Sequence, residues 1–305
     1  MTIKVLVSDK LSEESVKIFK DRGIDVDYQP EIGKDKERLA QIIGNYDGLA
    51  IRSATKVTEN ILKNANKLKV IGRAGIGVDN VDIAASTSSG VIVMNTPFGN
   101  SVTTAEHAIT LMMALARQIP QADHSTKSSL WEKSKFMGVE ITSKTLGVIG
   151  CGNIGSIVID RAKGLKMKVI GFDPYLTESR ADTLGIEKVE LNEIFKRSDF
   201  ITIHTPLTDK TKNIINSEAI KKMKPSVRII NCARGGLIDE KALTKALKEN
   251  KISGAAIDVF EEEPAKNNPL FDIKNVICTP HLGASTLEAQ EKVAIQIAEQ
   301  MSDFL

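Results

Sequence analysis

The stretch TLGVIGCGNIG, residues 145–155, has four glycines, and the last three lie where a run typical of a β-strand passes into a run typical of a helix. These glycines, Gly150, Gly152 and Gly155, have the G-x-G-x-x-G spacing of a turn that binds a dinucleotide. The spacing alone is weak evidence, because three glycines also serve ordinary tight turns. Here the next strand-like run, KVIGFD, ends in Asp173, 18 residues after Gly155. This order predicts a dinucleotide-binding turn in a parallel α/β sheet.

Each position of the turn has its own physical requirement. Gly150 would permit the tight turn, Gly152 would let the backbone approach a pyrophosphate, and Gly155 would let the helix lie close to the strand. Asp173 could accept hydrogen bonds from a ribose diol and would repel a 2′-phosphate, which favours NAD over NADP. The alternative is that Asp173, which is followed by Pro174, only starts a turn.

Strand-like and helix-like runs alternate along most of the chain. From the glycine turn onward, six strand-like runs predict a complete doubly wound domain, namely KTLGVIG, MKVIGFD, FITIHTP, VRIINCA, ISGAAIDV and NVICTP. Four more runs lie in the first hundred residues, namely IKVLVS, DVDY, YDGLAI and LKVIGRAG. The predicted fold class is α/β with two doubly wound parallel-sheet domains, a Rossmann NAD-binding domain inserted into a flavodoxin-like substrate domain.

Two long helical patterns set the predicted domain boundaries. Apolar residues recur at helical spacing over residues 101–119, and another helical run fills residues 286–305 after the last strand. Because the first domain lacks a covering element at its end, we expect the last helix to cross back to it. The predicted substrate-binding domain therefore comprises residues 1–96 and 286–305, and the predicted NAD-binding domain comprises residues 97–285.

Composition argues against several classes of function. The 305 residues carry a formal net charge of +2, and the cations are scattered among acidic residues, so nucleic-acid binding is not expected. The three cysteines, Cys151, Cys232 and Cys278, lack C-x-x-C spacing, so we expect neither a disulfide framework nor a metal site. The sequence contains no recognisable signal peptide or membrane-spanning run. We therefore expect a cytoplasmic protein that binds no membrane.

Candidate reactive residues follow strand-like runs, at the sheet edge where such folds bind ligands. Arg234 lies in NCARGGLIDE, and its planar guanidinium can bind a carboxylate through two hydrogen bonds. The acidic run Glu261–Glu263 precedes Pro264, and its composition alone is typical of a solvated loop. His281 lies in TPHLGAS, where the local sequence leaves open whether it is an ordinary loop residue or an acid/base.

The other three histidines are weaker candidates for an acid/base. His107 lies beside an apolar helical stripe, which favours a packed or capping side chain, and His124 lies in a polar stretch typical of a surface. His204 ends the strand-like run ITIHTP and is the only serious competitor of His281. Because no Glu or Arg motif accompanies it, a structural role is favoured for His204.

Several separated motifs resemble those of the D-isomer-specific 2-hydroxyacid dehydrogenases over essentially the whole chain. They are GRAGIGVDNVD, VMNTPFGNSVTTAEH, WEKSKFMGVE, TLGVIGCGNIG, HTPLTDKT, NCARGGLIDE, AAIDVFEEEP and TPHLGAST. One motif alone could mislead, but together they are specific. The resemblance implies an NAD-dependent dehydrogenase whose catalytic residues are Arg234, Glu263 and His281.

The resemblance also implies which residues bind NAD. Family members often carry Arg where this chain has Asn153, so one pyrophosphate contact is expected to be neutral here. Asp258 is expected to hold the nicotinamide carboxamide. The implied residues are Gly150, Gly152, Asn153, Ile154, Gly155, Asp173, Thr205, Pro206, Cys232, Ala233, Asp258, Gly283 and Ala284.

In this assignment the three catalytic residues divide the chemistry between them. His281 would take the hydroxyl proton during oxidation and return it during reduction. Glu263 would orient the imidazole ring and favour its protonated form. Arg234 would bind the substrate carboxylate and polarise the carbonyl, so that charge develops beside a cation.

Within the family, the motifs favour oxidation of 3-phospho-D-glycerate to 3-phosphooxypyruvate at the entry to serine synthesis. A phosphate dianion needs cations, and Arg52 and Arg73, at strand ends of the first domain, suit that role. Similar enzymes pair through a long helix, so we expect a homodimer through residues 101–140, where Lys133 and Lys135 could add charge. The residues expected to contact substrate are Arg52, Ser53, Arg73, Ala74, Gly75, Ile76 and Asn100.

Two other interpretations stay open. A glyoxylate/hydroxypyruvate or D-lactate-type reductase would share the three catalytic residues. An NAD(H)-sensing corepressor-like binding protein would share the fold, and fold alone does not define function. Longer family members append a serine-sensing regulatory domain; the printed sequence has no residues for one after Leu305, so we expect no serine regulation of that kind.

Overall fold

The computed structural model describes residues 2–305, in which strands and helices alternate along the chain. The strands are β1 (Lys4–Val7), β2 (Asp25–Tyr28), β3 (Gly48–Ile51), β4 (Val70–Arg73), β5 (Ile92–Asn95), β6 (Thr145–Ile149), β7 (Lys168–Phe172), β8 (Glu187–Lys188), β9 (Phe200–Ile203), β10 (Arg228–Asn231), β11 (Gly254–Ile257) and β12 (Val276–Cys278). The helices are α1 (Glu13–Asp21), α2 (Lys36–Ile42), α3 (Glu59–Leu62), α4 (Ile83–Ser88), α5 (Ser101–Arg117), α6 (Ile119–Lys127), α7 (Asn153–Gly164), α8 (Glu178–Leu184), α9 (Leu191–Arg197), α10 (Ser217–Lys221), α11 (Glu240–Lys248) and α12 (Leu287–Phe304).

The first sheet has five parallel strands in the order β2-β1-β3-β4-β5. This is the flavodoxin-like order, with the reversal between β1 and β3. The central strand β3 is buried along its whole length, as expected where helices cover both faces of a parallel sheet. The sequence pattern does not predict β5, because this edge strand is only partly buried and its Ile92 is 45% exposed.

The second sheet has seven parallel strands in the order β12-β11-β10-β9-β6-β7-β8. Counted from β6, this is the Rossmann order 3-2-1-4-5-6 with one strand added. The predicted α/β class with two parallel sheets is therefore confirmed. The strand β8 escapes sequence analysis, because its two residues, Glu187 and Lys188, are exposed and charged. The order reverses between β6 and β9, whose carboxyl ends flank the position where such sheets bind ligands.

The prediction of one long helix over residues 101–119 is wrong at its end. The helix α5 ends at Arg117, and a second helix, α6, begins at Ile119. Gln118, between them, has a left-handed backbone with φ of 53°. Pro120 explains the break, since its ring would clash with the carbonyl of Ala116 in a continuous helix and it lacks an N–H donor. The Ala116 carbonyl instead accepts a hydrogen bond from the backbone N–H of Val139 at 2.9 Å.

The last helix, α12, packs in the hydrophobic core of the first sheet. The Thr286 hydroxyl accepts a hydrogen bond from the backbone N–H of Ala289 and caps the first turn. Ile297 and Met301 are fully buried in the core that also contains Phe19 of α1. Burial of an apolar side chain of this size contributes about 1.5–3 kcal/mol, so this face ties α12 to the sheet.

Contacts divide the chain into two compact units. The first unit consists of Met1–Ser101 and Ala284–Leu305 and contains the five-stranded sheet. The second unit consists of Val102–Gly283 and contains the seven-stranded sheet. Across residues 2–305, every helix is too short or too polar to cross a lipid bilayer.

Candidate active site

The glycine turn joins β6 to α7 at the point where the strand order reverses. Gly150 has φ of 93°, a conformation that residues with a side chain rarely adopt. A Cβ on Gly155 would lie 2.0 Å from the carbonyl oxygen of Gly150, so the first turn of α7 approaches the strand more closely than any other residue permits. A Cβ on Gly152, by contrast, would meet no atom within 4 Å.

This turn has the features that a dinucleotide requires. The open space over Gly152 lies at the N-terminus of α7, a helix of 12 residues whose first N–H groups and dipole favour an anion. The residues predicted at this position, Asn153 and Ile154, form the start of α7, and Asn153 is exposed. The turn therefore fits a pyrophosphate held by backbone N–H groups.

Asp173, just after β7, braces the glycine turn. One carboxylate oxygen accepts the backbone N–H of Cys151 at 2.9 Å, and the other accepts the N–H of Tyr175 at 2.8 Å. The turn at Pro174 that sequence analysis considers as an alternative is therefore real. Each carboxylate oxygen still has acceptor capacity, because an ionised carboxylate can accept about four hydrogen bonds.

His281 and Glu263 form a hydrogen-bonded pair at the end of the second sheet. The Nδ1 of His281 lies 2.7 Å from Oε2 of Glu263. The other Glu263 oxygen accepts the backbone N–H of Phe260 at 3.1 Å. Burial raises the pKa of Glu263, but the hydrogen bond and charge of His281 and the Phe260 N–H outweigh it, so the net pKa is below its usual range. The His281 side chain is 47% exposed, which leaves the imidazole open to a ligand.

Asp258 holds the loop that carries His281, a role that sequence analysis missed. Its side chain is fully buried and accepts hydrogen bonds from the Thr279 hydroxyl at 2.6 Å and from the backbone N–H groups of Leu282 at 2.7 Å and Gly283 at 2.8 Å. Its backbone carbonyl accepts the N–H of His281 at 2.9 Å. These bonds fix the loop in which His281 adopts a left-handed backbone, with φ of 54°.

His107 of α5 lies behind Asp258, with its Nε2 3.2 Å from an oxygen of that carboxylate. Burial raises the pKa of Asp258, but hydrogen bonds from His107, Thr279 and Leu282 hold the net pKa below its ordinary value. His107 is thus the packed residue that sequence analysis favours. A hydrogen bond from the nicotinamide carboxamide to Asp258 would have to use Oδ2, which already accepts the backbone N–H of Gly283. This bond stays a prediction.

Arg234 lies in a turn that Asn231 shapes. The Asn231 side chain accepts the backbone N–H of Ala233 and donates to the carbonyl of Arg234. A Cβ on Gly235 would lie 1.8 Å from the carbonyl oxygen of Phe260, so only glycine lets this turn approach the Phe260 backbone. The Arg234 turn and the loop that carries Glu263 are therefore packed together. This role of Asn231 is not visible in the sequence.

The residues predicted to line the nicotinamide end of NAD are brought together in part. A Cβ built on Gly283 would lie 3.7 Å from the carbonyl oxygen of Cys232. A Cβ built on Gly150 would lie 3.0 Å from the backbone nitrogen of Thr205. Pro206 is exposed at the same strand end as Thr205. Burial and the nearby Asp258 raise the pKa of Cys232 well above its ordinary value, so this thiol stays protonated. Ala284, the last of these predicted residues, begins the second segment of the first unit.

The surroundings of His204, the competitor of His281, are unsuited to proton transfer near neutral pH. Burial lowers the pKa of His204 to about 4, so its ring is neutral at pH 7. Within residues 2–305, its Nδ1 is buried without a hydrogen-bond partner, while Nε2 bonds the Thr202 hydroxyl at 2.9 Å. His124 is exposed on α6, as expected.

The predicted substrate-binding residues all lie in the first unit, at the carboxyl ends of its strands. Arg52 and Ser53 follow β3. Arg73 ends β4, and its guanidinium folds back to donate to the Ala74 carbonyl at 3.3 Å. Gly75, with φ of 141°, lies under that guanidinium. Ile76 accepts a hydrogen bond from Asn95 at 2.6 Å, and Asn100 is buried next to the start of α5.

Comparison with known families shows the class to which the chain belongs. Residues 109–283 match the family D-isomer specific 2-hydroxyacid dehydrogenase, NAD binding domain. The chain therefore belongs to the D-isomer-specific 2-hydroxyacid dehydrogenases, as its motifs predict. The expected cofactor, NAD, is confirmed through the domain that binds it.

The chain is also similar to particular proteins. It is 51% identical to D-3-phosphoglycerate dehydrogenase of Methanocaldococcus jannaschii over 304 residues, 99% of this chain and 57% of the relative. It is 49% identical to D-3-phosphoglycerate dehydrogenase of Synechocystis sp. over 303 residues, 99% of this chain and 54% of the relative. The solved structure of D-lactate dehydrogenase from Aquifex aeolicus with NAD and lactic acid has a TM-score of 0.86 at 27% identity, covering 99% of this chain and 95% of that one. The chain thus spans about half the length of the curated relatives it matches.

Proposed function

We propose that the protein oxidises 3-phospho-D-glycerate to 3-phosphooxypyruvate with NAD, as the first step of serine biosynthesis. The observation that carries this proposal is the His281–Glu263 pair at 2.7 Å, in the same unit as a glycine turn that fits a dinucleotide. The two D-3-phosphoglycerate dehydrogenases, each matched over 99% of this chain, support the choice of substrate.

His281 is the acid/base in the proposed mechanism. Its Nδ1 is engaged by Glu263, which leaves Nε2 to take the proton from the substrate hydroxyl. Glu263 fixes the ring orientation and supplies the negative charge that favours imidazolium. NAD, which the turn at Gly150, Gly152 and Gly155 would hold, would supply the acceptor for the hydride that leaves the hydroxyl-bearing carbon of the substrate. A positioned acid/base of this kind typically contributes about 10²–10⁴-fold in rate.

Arg234 binds the substrate carboxylate and stabilises charge on the reacting oxygen. The Asn231 contacts and the close packing of Gly235 on Phe260 support a fixed position for its backbone. A guanidinium offers two parallel donors in one plane, whereas a lysine offers a single point charge. The arginine can therefore orient the carboxylate as well as neutralise it.

The substrate phosphate and the remaining carboxylate contacts belong to the first unit in this proposal. Arg52 and Arg73 supply the cations, and the Ala74–Ile76 backbone and Asn100 supply polar contacts. Burial lowers the pKa of Arg52 and Asp9 partly offsets this, but an arginine so placed stays charged near neutral pH.

Asp173 selects NAD over NADP by repelling a 2′-phosphate, and Asp173→Ala should therefore reduce the ratio of NAD to NADP turnover.

The function is tested by following absorbance of NADH with 3-phospho-D-glycerate, D-glycerate and D-lactate as substrates, and with glyoxylate in reverse. We expect the highest kcat/KM with 3-phospho-D-glycerate. Faster glyoxylate or lactate turnover would replace the proposal by a reductase. Tight NADH binding without turnover of any 2-hydroxy acid would replace it by a corepressor-like binding protein.

We also propose that the protein is a homodimer that operates in the reducing cytoplasm. The three cysteines are free, which supports a reducing compartment. Apolar side chains around α5 and α6 are exposed to an unusual extent, which supports pairing with a second copy. They are Met113 at 38%, Ile119 at 53%, Leu130 at 49%, Trp131 at 88% and Met137 at 79%. Sedimentation should give a dimer that Trp131→Asp dissociates, and a wild-type monomer at micromolar concentration would exclude it.

A further inference from the structure

The loop after β3, residues 52–55, is held from both sides by side chains of neighbouring strand ends. Asp9 follows β1 and Asn80 follows β4. The sheet order β1-β3-β4 places these two strands on either side of β3. Residues 52–55, called here the Arg52 loop, therefore lie between two polar side chains that are distant in sequence.

Asp9 binds the N–H groups of the Arg52 loop. Its carboxylate is 2% exposed and accepts the backbone N–H of Arg52 at 2.5 Å, the backbone N–H of Thr55 at 3.1 Å and the Thr55 hydroxyl at 2.9 Å. The Thr55 hydroxyl also lies 2.8 Å from the Ser8 hydroxyl. Hydrogen bonds to a charged acceptor are stronger than those between neutral groups, so this carboxylate orders the loop.

Asn80 binds the carbonyl groups of the same two residues. Its side-chain N–H₂ donates to the carbonyl of Arg52 at 2.6 Å and to the carbonyl of Thr55 at 2.7 Å. Both N–H groups and both carbonyls that border the loop are thus held by two side chains. Ser53 and Ala54, at the tip, stay exposed. A loop without regular structure therefore has a fixed base and a free tip.

We propose that Asp9 and Asn80 are positioning residues that fix Arg52 for the phosphate of the substrate, and so set the preference for a phosphorylated 2-hydroxy acid. This inference rests on the proposed function, in which Arg52 is a phosphate cation. A preorganised cation binds its ligand without a further ordering cost. Loss of either side chain should weaken phosphate binding although neither contacts the substrate.

Asp9→Asn separates positioning from simple electrostatics. The substitution removes a negative charge beside Arg52, so charge alone would lower the KM for a phosphorylated substrate. Positioning predicts the opposite, because the amide offers one neutral acceptor oxygen where the carboxylate offers two charged ones, so the hydrogen bonds that hold the loop are weakened. We expect the KM for 3-phospho-D-glycerate to rise about 10-fold, equivalent to about 1.4 kcal/mol, with a much smaller change for D-glycerate. Asn80→Ala should act in the same direction without a change of charge.

The matched control is Asp47→Asn. Asp47 also accepts a backbone N–H, that of Lys4 at 3.1 Å, and pairs with Lys69 at 3.0 Å, but it lies at the opposite ends of the strands. Hydrogen exchange of the peptide covering the Arg52 loop should accelerate in Asp9→Asn and not in Asp47→Asn. Unchanged exchange in Asp9→Asn would overturn the inference, as would a lower KM for the phosphorylated substrate.

A double-mutant cycle with Arg52→Ala distinguishes this inference from the function on which it rests. If the positioning residues act through Arg52, Asp9→Asn should not reduce the preference for phosphorylated substrate further in the Arg52→Ala background. If the effects of Asp9→Asn and Arg52→Ala on this preference are fully additive, the positioning role is overturned and the proposed function is left intact. If Arg52→Ala alone leaves the preference unchanged, the phosphate assignment fails and the positioning role fails with it.

Discussion

His281 and Glu263 are 18 positions apart in sequence, yet the ring nitrogen and the carboxylate oxygen lie 2.7 Å apart. Their approach depends on two further interactions, the Glu263 bond to the Phe260 N–H and the Asp258 bonds to the His281 loop. A proton carrier has to be partly exposed and held in orientation, and His281 meets both conditions. His204 is held by the Thr202 hydroxyl, but burial lowers its pKa to about 4, so its ring stays neutral and cannot return a proton near neutral pH.

Replacing His281 tests the acid/base role. His281→Ala should lower kcat by about 10²–10⁴-fold while NADH binding, measured by fluorescence titration, is retained. His124→Ala is the control, because that histidine is exposed on α6. Near-normal turnover in His281→Ala would transfer the role to another group, and His204→Ala would then be measured.

Replacing Glu263 tests the pairing through pH dependence. Because the folded-state pKa of Glu263 is lowered, its stabilising contribution is complete above the usual Glu pKa and is lost as pH falls through the lowered value. The free energy of unfolding, measured with urea, should therefore fall less on acidification in Glu263→Gln than in the wild type. Glu263→Gln should also move the acid limb of the oxidation rate to lower pH, since imidazolium loses its counter-charge. The exposed neighbour Glu262→Gln should change neither, and an unchanged pH profile in Glu263→Gln would remove Glu263 from its role.

Motifs indicate candidate reactive residues, but they do not indicate the residues that hold them in place. Arg234, Glu263 and His281 are each visible as a polar residue in a motif after a strand-like run. Asp258 was expected at the cofactor, and its bonds to the His281 loop become visible only when β11 and β12 lie side by side. In the sequence, Asn231 is recognisable only as a polar residue at the end of an apolar strand. Such hydrogen bonds depend on tertiary contacts, which a single sequence does not display.

At the scale of the element, the junction of β6 and α7 allows a test in which two glycines give opposite results. Gly155→Ala should lower the free energy of unfolding by about 1–3 kcal/mol, because its Cβ would lie 2.0 Å from the Gly150 carbonyl. Gly152→Ala should cost less than about 0.5 kcal/mol, because its Cβ meets open space. It should nevertheless reduce NAD affinity by about 10-fold or more, since the Cβ enters the space assigned to the pyrophosphate. Unimpaired NAD binding in Gly152→Ala would contradict that assignment.

Elements with a strong periodic pattern are predicted from sequence, and elements that depend on their surroundings are not. The helical run predicted after the last strand is the helix α12, and its cap Thr286 is a residue type that commonly starts helices. The edge strands β5 and β8 lack a buried apolar pattern, and both escape prediction. The break at Gln118 could have been predicted from Pro120, whose effect on the preceding turn is steric and local.

At the scale of the whole molecule, alternation of strands and helices is sufficient to predict two parallel sheets. Parallel strands need crossover connections, so repeated strand-helix units in one chain leave few topologies. The order of strands in each sheet is not visible in the sequence and comes from the right-handed crossovers. That order places the glycine turn at the reversal point of the second sheet and the Arg52 loop between β1 and β4 in the first.

We propose that hydride passes from C2 of a phosphorylated 2-hydroxy acid to NAD while His281 takes the hydroxyl proton. The most direct measurement uses 3-phospho-D-glycerate deuterated at C2, with mass spectrometry of the NADH formed. We predict one deuterium in each NADH and none released to water, with the rate of this transfer lowered by about 10²–10⁴-fold in His281→Ala. Deuterium in the solvent, or NADH binding without any transfer, would contradict the claim.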